Sequence, residues 1–145
     1  MADKQSKTLT LTAVTGAQTV RDTYFSTETM RDLVFSVETS ANASGASDTL
    51  TVTIQHSNSD SGNFSTANDN YWNTFTTLTA LVGNATAPQI LHFDMCQAST
   101  AAATTNVKRS IGKWCRIKYV TVDASGSGSW TGYIRVGWDV ATTTT

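Results

Sequence analysis

Few residues of this chain have side chains that could catalyse a reaction. The sequence holds two histidines, His56 and His92, and two cysteines, Cys96 and Cys115. Nucleophilic catalysis needs a Ser, Cys or Thr beside an oriented base, and no serine lies in a GxSxG motif. Each histidine falls in a run of alternating residues, where a solvent-facing or hydrogen-bonded strand residue is expected. The sequence therefore predicts no catalytic residue.

Carboxylates and amides offer two further kinds of chemistry. Two close carboxylates can hydrolyse glycosides, but the best placed acids, Asp94 and Asp139, have no second acid beside them in the sequence. Calcium requires clustered oxygen ligands, and a polar stretch of the chain could supply them, although the EF-hand pattern is absent. Because Asn and Asp are also the usual loop-forming residues, we expect no metal and no cofactor. The calcium candidates are Asn58, Asp60, Asn63, Asp69 and Asn70.

The spacing of Cys96 and Cys115 matches no metal-binding or redox motif. The first residues, MADKQSKTLTLT, contain no apolar stretch of the kind found in secretory signals, so we expect synthesis in a cytosol. There, two small half-buried thiols are the ordinary state of such cysteines. A disulfide between Cys96 and Cys115 stays open if their strands are neighbours and the protein later meets an oxidising medium.

Composition places the chain among all-β proteins. Of 145 residues, 39% are hydrophobic and only 14% are charged; threonine, serine and asparagine supply the remaining polarity, and β-branched threonine favours sheet. The formal net charge of −1 lacks the basic excess that nucleic-acid binding requires. No apolar segment is long enough to span a membrane. We therefore expect one globular domain with neither nucleic acid nor membrane as a partner.

About seven or eight runs of alternating apolar and polar residues predict strands. The alternation indicates that one face of each sheet is solvated, which favours an antiparallel β-sandwich. Residues 8–140 form the predicted domain, 1–7 a flexible N-terminal arm and 141–145 a frayed tail. Gly126–Ser129 reads as a hairpin connection, not a phosphate loop. The predicted runs include Thr8–Val14, Tyr24–Phe25, 32–40, 50–54, Tyr71–Leu81, Ile90–Met95, Trp114–Val122 and Tyr133–Val140.

Aromatic residues beside the loops are the remaining candidates for a binding role. Trp72 and Trp130 lie next to loops, and Tyr71 precedes Trp72. Exposed, these rings would form a sugar platform or a protein contact. The alternative is that the tryptophans cap the open ends of the sandwich.

Three further segments are informative when taken together: LTAVTGAQTVRDTYF, DTLTVTIQHSNSDSGNF and CRIKYVTVDASGSGSWTGYIRVGWDV. In this order they resemble small virion proteins of tailed bacteriophages, especially head decoration, or cement, proteins of the jelly-roll type. The resemblance implies a jelly-roll-like sandwich that forms a homotrimer on the outer capsid surface and bridges subunits of the major capsid protein, after synthesis in the host cytoplasm. Exposed strand edges would then become contacts in the assembly. The expected contact residues are Lys4, Lys7, Phe64, Tyr71, Trp72 and Trp130.

Three other functions remain as alternatives. A tail or fibre component of the same particle would have a similar sandwich. A carbohydrate-binding module would use Tyr71, Trp72 and Trp130 as its stacking platform. A hydrolase is disfavoured because histidines and clustered acids are scarce.

Overall fold

The computed structural model describes residues 4–59, 69–94 and 111–140, and every regular element in these ranges is a β-strand. Alternating side chains and abundant threonine favour strands for the reasons given above. The ten strands are β1 (Lys4–Val14), β2 (Gln18–Arg21), β3 (Phe25–Ser26), β4 (Met30–Ala43), β5 (Thr49–Ser57), β6 (Asn73–Thr77), β7 (Leu81–Val82), β8 (Gln89–Asp94), β9 (Trp114–Val122) and β10 (Gly128–Val140).

Strands from the first part of the chain pair with strands from the last part, and the pairs are nested. β1 pairs with β10, β2 with β9, β4 with β8 and β5 with β6, all antiparallel. Two sheets result, in the orders β1-β10-β4-β8 and β2-β9-β5-β6, with β3 on β9 and β7 on β5. A four-stranded and a six-stranded sheet with this nested connectivity form a jelly roll. The predicted antiparallel, jelly-roll-like sandwich is therefore confirmed.

The core lies between the two sheets and is built from alternate residues of their strands. Phe35 on β4, Ile54 on β5, Ile117 on β9 and Ile134 on β10 have no exposed surface. Successive side chains of a strand point to opposite faces, so the apolar residues of each run reach the interior together. Each such side chain stabilises the fold by about 1.5–3 kcal/mol through burial.

The first strand begins earlier than the sequence predicts. Residues 4–7, expected to belong to a flexible arm, pair with residues 136–139 of β10. The long β10 offers these residues backbone hydrogen-bonding partners, and Lys7 turns toward the sandwich, where its ammonium lies 3.2 Å from a carboxylate oxygen of Asp22 and 5.0 Å from the ring centre of Phe25. Residues 4–7 of the predicted arm thus belong to β1, while residues 1–3 and the predicted tail, 141–145, lie outside the described residues.

A buried carboxylate joins two connections at one end of the sandwich. Asp48 accepts hydrogen bonds from the backbone N–H groups of Gly45, Ala124 and Ser125 and from the Ser125 hydroxyl. These bonds, that of the hydroxyl above all, hold the pKa of Asp48 below its ordinary value. The carboxylate thereby ties the β4–β5 connection to the β9–β10 connection. The second of these passes from one sheet to the other, so the prediction that Gly126–Ser129 joins a hairpin is wrong.

Gly132 of β10 provides a test of how closely β10 packs against β4. A Cβ at Gly132 would lie 2.0 Å from the carbonyl oxygen of Glu38 and 2.7 Å from Cα of Thr39, both backbone atoms of β4. We expect Gly132→Ala to lower the free energy of unfolding by more than about 1 kcal/mol, measured by urea denaturation, because the strands must move apart.

Gly137 on the same strand is the matched control. Its added Cβ would meet nothing closer than the Gln5 carbonyl oxygen at 3.7 Å, an ordinary contact. Gly137→Ala should therefore change stability by no more than about 0.5 kcal/mol. Equal effects of the two substitutions would contradict the described pairing of β10 with β4.

Candidate functional site

Of the predicted contact residues, Tyr71 is the one that the structure places clearly in solvent. Its exposed fraction is 49%, whereas those of Trp72 and Trp130 are 6% and 2%. Lys7 is engaged within the chain, where it also donates to the carbonyl oxygen of Thr23. Phe64 lies outside the described residues, as does the side chain of Lys4.

Both tryptophan rings are therefore buried within the chain, whereas a contact role would use exposed rings. That either residue contacts a partner stays a prediction. Trp130 belongs to the core cluster and lies opposite Val14 in the β1–β10 pair. Trp72 covers the guanidinium of Arg116, whose Cζ lies 4.3 Å from the centre of the Trp72 rings. Trp130 thus packs in the core between the sheets, and Trp72 packs on Arg116 of β9.

A cluster of three cationic side chains surrounds one carboxylate on the outer face of the second sheet. The Asp69 carboxylate oxygens lie 2.8 Å from Nε of Arg21, 2.7 Å from Nη2 of Arg116 and 2.6 Å from Nζ of Lys118. The amide of Gln55 also binds Asp69, and its Oε1 accepts from Nε of Arg116 at 2.8 Å. Asp69 thus accepts hydrogen bonds from side chains of three strands, β2, β5 and β9.

Strand alternation and register bring these donors together. Arg116 and Lys118 are two apart on β9 and flank the buried Ile117, so both point away from the core. Arg21 of β2 lies opposite Lys118, and Gln55 of β5 lies opposite Arg116. The sheet therefore places two guanidinium groups, one ammonium and one amide side by side before Asp69 is added.

Burial makes the carboxylate necessary. The Arg116 side chain has no exposed surface although it lies on the outer face of the sheet, and its desolvation lowers the pKa of the guanidinium. The Arg21 hydrogen bond, followed by Lys118 and Gln55, holds the pKa of Asp69 far below its usual range. A buried charge without a partner costs several kcal/mol, so Arg116 depends on Asp69.

Asp69 reaches the cluster from a tight turn. The backbone N–H of Trp72 donates to the carbonyl oxygen of Asp69 at 3.0 Å, which closes the four-residue turn Asp69–Trp72. Asp69 binds the cations at the first position and Trp72 packs on Arg116 at the fourth. Asn70 and Tyr71 occupy the two central positions and are exposed. We refer to this segment as the Asp69 turn.

Two of the calcium candidates, Asp69 and Asn58, are engaged with other groups of the chain. Asp69 is occupied by its three cations, and Asn58 accepts from the backbone N–H of Lys113. Asp60 and Asn63 lie outside the described residues. Among the side chains that the structure describes, no three His, Cys, Asp or Glu come together as a metal-binding group.

The two histidines lie on different sheets. Nδ1 of His56 accepts from the backbone N–H of Gly112 at 2.8 Å, and burial lowers the pKa of this imidazole. His92 is exposed on β8. Both therefore occupy the hydrogen-bonded or solvent-facing strand positions that the alternation predicts.

Cys115 is a free, fully buried thiol on β9. Burial raises its pKa to about 12, which leaves almost no reactive thiolate near neutral pH. The expected state of two thiols is thus described for Cys115 alone. Cys96 lies outside the described residues, so the alternative of a Cys96–Cys115 disulfide stays an untested expectation.

Within the described ranges, no helix has the length and apolarity needed to cross a membrane. No family model matches the chain, and no curated protein matches it. A solved structure described as that of infectious bursal disease virus, Gx strain, is similar, with a TM-score of 0.42 and 13% sequence identity. The match covers 99% of this chain and 32% of the other, so the chain spans about a third of that viral chain.

Replacing Asp69 tests the cluster and its pH dependence. Asp69→Asn should lower the free energy of unfolding at neutral pH by about 1–3 kcal/mol, less than for a fully buried pair because solvent screens the half-exposed carboxylate. The folded-state pKa of Asp69 lies below its ordinary value of 3.8, so its contribution is fully present above that pH and is lost as the pH falls further. The difference between the native chain and the variant should therefore shrink between about pH 5 and pH 2 in urea titrations.

Asp139→Asn, on the other sheet, removes one carboxylate without touching the cluster and serves as the control. A deficit for Asp69→Asn that is the same at every pH would contradict an ionised Asp69 in the folded state.

The buried thiol gives a second test. In a Cys96→Ser variant, Cys115 is the sole thiol, and a disulfide-exchange reagent at mildly alkaline pH should label it about 100-fold or more slowly in the folded chain than in urea. Burial blocks the reagent and suppresses the thiolate. Rapid labelling without unfolding would contradict the burial of Cys115.

Proposed function

We propose that the chain is a non-enzymatic structural protein of a virion, and specifically a decoration protein on the outer surface of a tailed-phage head. The observation that carries the proposal is the jelly-roll topology, an architecture that recurs in viral capsid domains, in a chain whose three quoted segments resemble phage decoration proteins. Fold alone does not define function, so the resemblance supplies the choice within the class.

The proposed mechanism is stabilisation by mass action. A protein that binds the assembled shell and has no affinity for separate shell subunits shifts the equilibrium toward the shell. A homotrimer would hold three copies at once, so that weak contacts of each copy add through a high effective concentration. The major capsid protein is the proposed partner.

Two alternatives differ in what the structure offers them. A tail or fibre component would use the same sandwich, and only its location in the particle would differ. A carbohydrate-binding module would need the platform of Tyr71, Trp72 and Trp130, but two of these rings are buried. Jelly rolls also include lectins, so this alternative would depend on Tyr71 and the polar residues around it.

Co-sedimentation with empty, expanded heads of the phage that encodes the chain tests the proposal. We expect saturable binding, in multiples of three copies per symmetry axis, and a trimer mass for the free protein by light scattering. Unassembled capsid subunits are the control and should not bind.

Other outcomes would contradict the decoration role in distinct ways. A stable trimer that ignores heads and binds purified tails would favour the tail component. A monomer that binds neither, with tryptophan fluorescence quenched by sugars, would favour the carbohydrate-binding module.

A further inference from the structure

The Asp69 turn is fixed at both ends by unusually strong local contacts. Asp69 makes ion pairs of 2.8, 2.7 and 2.6 Å with three strand residues. Trp72, three residues later, is buried against the Arg116 guanidinium. A turn held in this way loses little conformational entropy when a partner binds it, and such preorganisation raises affinity.

The centre of the turn presents an amphipathic aromatic residue to solvent. Tyr71 is 49% exposed, close to the highest value among the large apolar side chains that the structure describes. Tyrosine offers a rigid apolar surface with a polar tip and is enriched among the residues that dominate protein interfaces. Because Asp69 and Trp72 pack inward at the two ends of the turn, Tyr71 is the large apolar side chain of the turn that solvent reaches.

The surface beneath the turn is positively charged. Three cations and one carboxylate leave an excess of two positive charges, although the whole chain carries −1. The side chains of Arg21 and Lys118 are 21% and 19% exposed. Lys118 has three N–H donors and one acceptor, Asp69, among the described residues.

Among the described residues, the neighbouring outward positions of the strands carry threonine and no acid. Thr53 lies opposite Lys118 on β5, and its hydroxyl contacts that of Thr77 on β6 at 3.3 Å. Thr19 and Thr51 flank Val120 in the next row of the sheet. Within the described ranges, the positive charge of this face is therefore concentrated at the base of the Asp69 turn.

We propose that the Asp69 turn, with Tyr71 at its tip and Arg21 and Lys118 at its base, docks onto a carboxylate-bearing protein surface. Tyr71 supplies the apolar contact, and the two partly exposed cations bind the acidic groups around it. The identity of this partner rests on the proposed function: in a decoration protein, the carboxylate-bearing surface belongs to the shell protein of the virion. Charge complementarity of this kind sets orientation and accelerates association.

Two exposed apolar residues give a matched pair of variants. Tyr71→Ser removes the proposed anchor, and Ile90→Ser removes a side chain of 50% exposure from the first sheet. In the co-sedimentation assay, Tyr71→Ser should weaken binding about 10-fold or more, and Ile90→Ser less than about 3-fold. Heads that bind the native chain and the Tyr71→Ser variant equally would overturn this proposal while the decoration role stands.

A second assay remains informative when heads do not bind. Hexaglutamate is titrated into the full ¹⁵N-labelled chain at low salt, and the backbone amide shifts are followed. We expect the changes to concentrate at Arg21, Tyr71 and Lys118 and to fade when salt screens the charges. Shifts that centre on the first sheet, or no shifts, would overturn the proposal.

The lysines supply the control for charge. Lys118→Met should reduce the hexaglutamate shifts, whereas Lys113→Met should preserve them, because Lys113 lies beyond the cluster and 3.6 Å from Glu28. A sulfated hexasaccharide that binds the same amides more than about 10-fold tighter than hexaglutamate would overturn a protein partner in favour of an acidic glycan. A trimer that dissociates on Tyr71→Ser would overturn it in favour of a second copy of the chain.

Discussion

The second sheet depends on how the charge of Arg116 is compensated. Its side chain has no exposed surface, and a guanidinium can be buried only with a counter-charge and hydrogen-bond acceptors around it. Gln55 supplies one acceptor from the adjacent strand and Asp69 supplies the charge. Asp69, which precedes β6, therefore lies over the outer face of the sheet. Trp72 packs on the guanidinium three residues later, so one electrostatic requirement fixes the position of the exposed Asp69 turn.

The alternation of apolar and polar residues was sufficient to predict a β-sandwich. The runs around Phe35, Ile54, Ile117 and Ile134 predict four strands with one apolar face each, and all four contribute fully buried side chains to one core. The described ranges hold ten strands, whereas the sequence predicts seven or eight, because short strands show too few alternating residues to be recognised. β2 contains a single apolar residue in QTVR, and β7 has two residues. Both exist because long neighbours, β9 and β5, offer backbone partners, and that information is not local.

The candidate site was only partly accessible from sequence. Tyr71, Trp72 and Trp130 were singled out as aromatic residues beside loops, yet exposure separates the first from the other two. A residue at a strand end can turn inward or outward with equal ease, and the choice is made by what packs above it. Asp69 was visible in the sequence as a loop carboxylate, but the competing interpretation was a calcium ligand. Pairing it with Arg21 and Arg116 requires the register of β2, β9 and β5, which no pattern within a single segment contains.

The edges of the first sheet bear on how the chain could meet a partner. β1 is a long edge strand, and such strands invite pairing with other chains unless an inward charge or a bulge interrupts them. Here Lys7 turns a charge toward the sandwich, and the β1–β10 register is irregular between Leu11 and Val14. Both features oppose the addition of a further strand, so the expectation that strand edges serve as assembly contacts fits β1 poorly. A fixed turn on the face of the other sheet has no such conflict, because docking there leaves the backbone pairing of every strand unchanged.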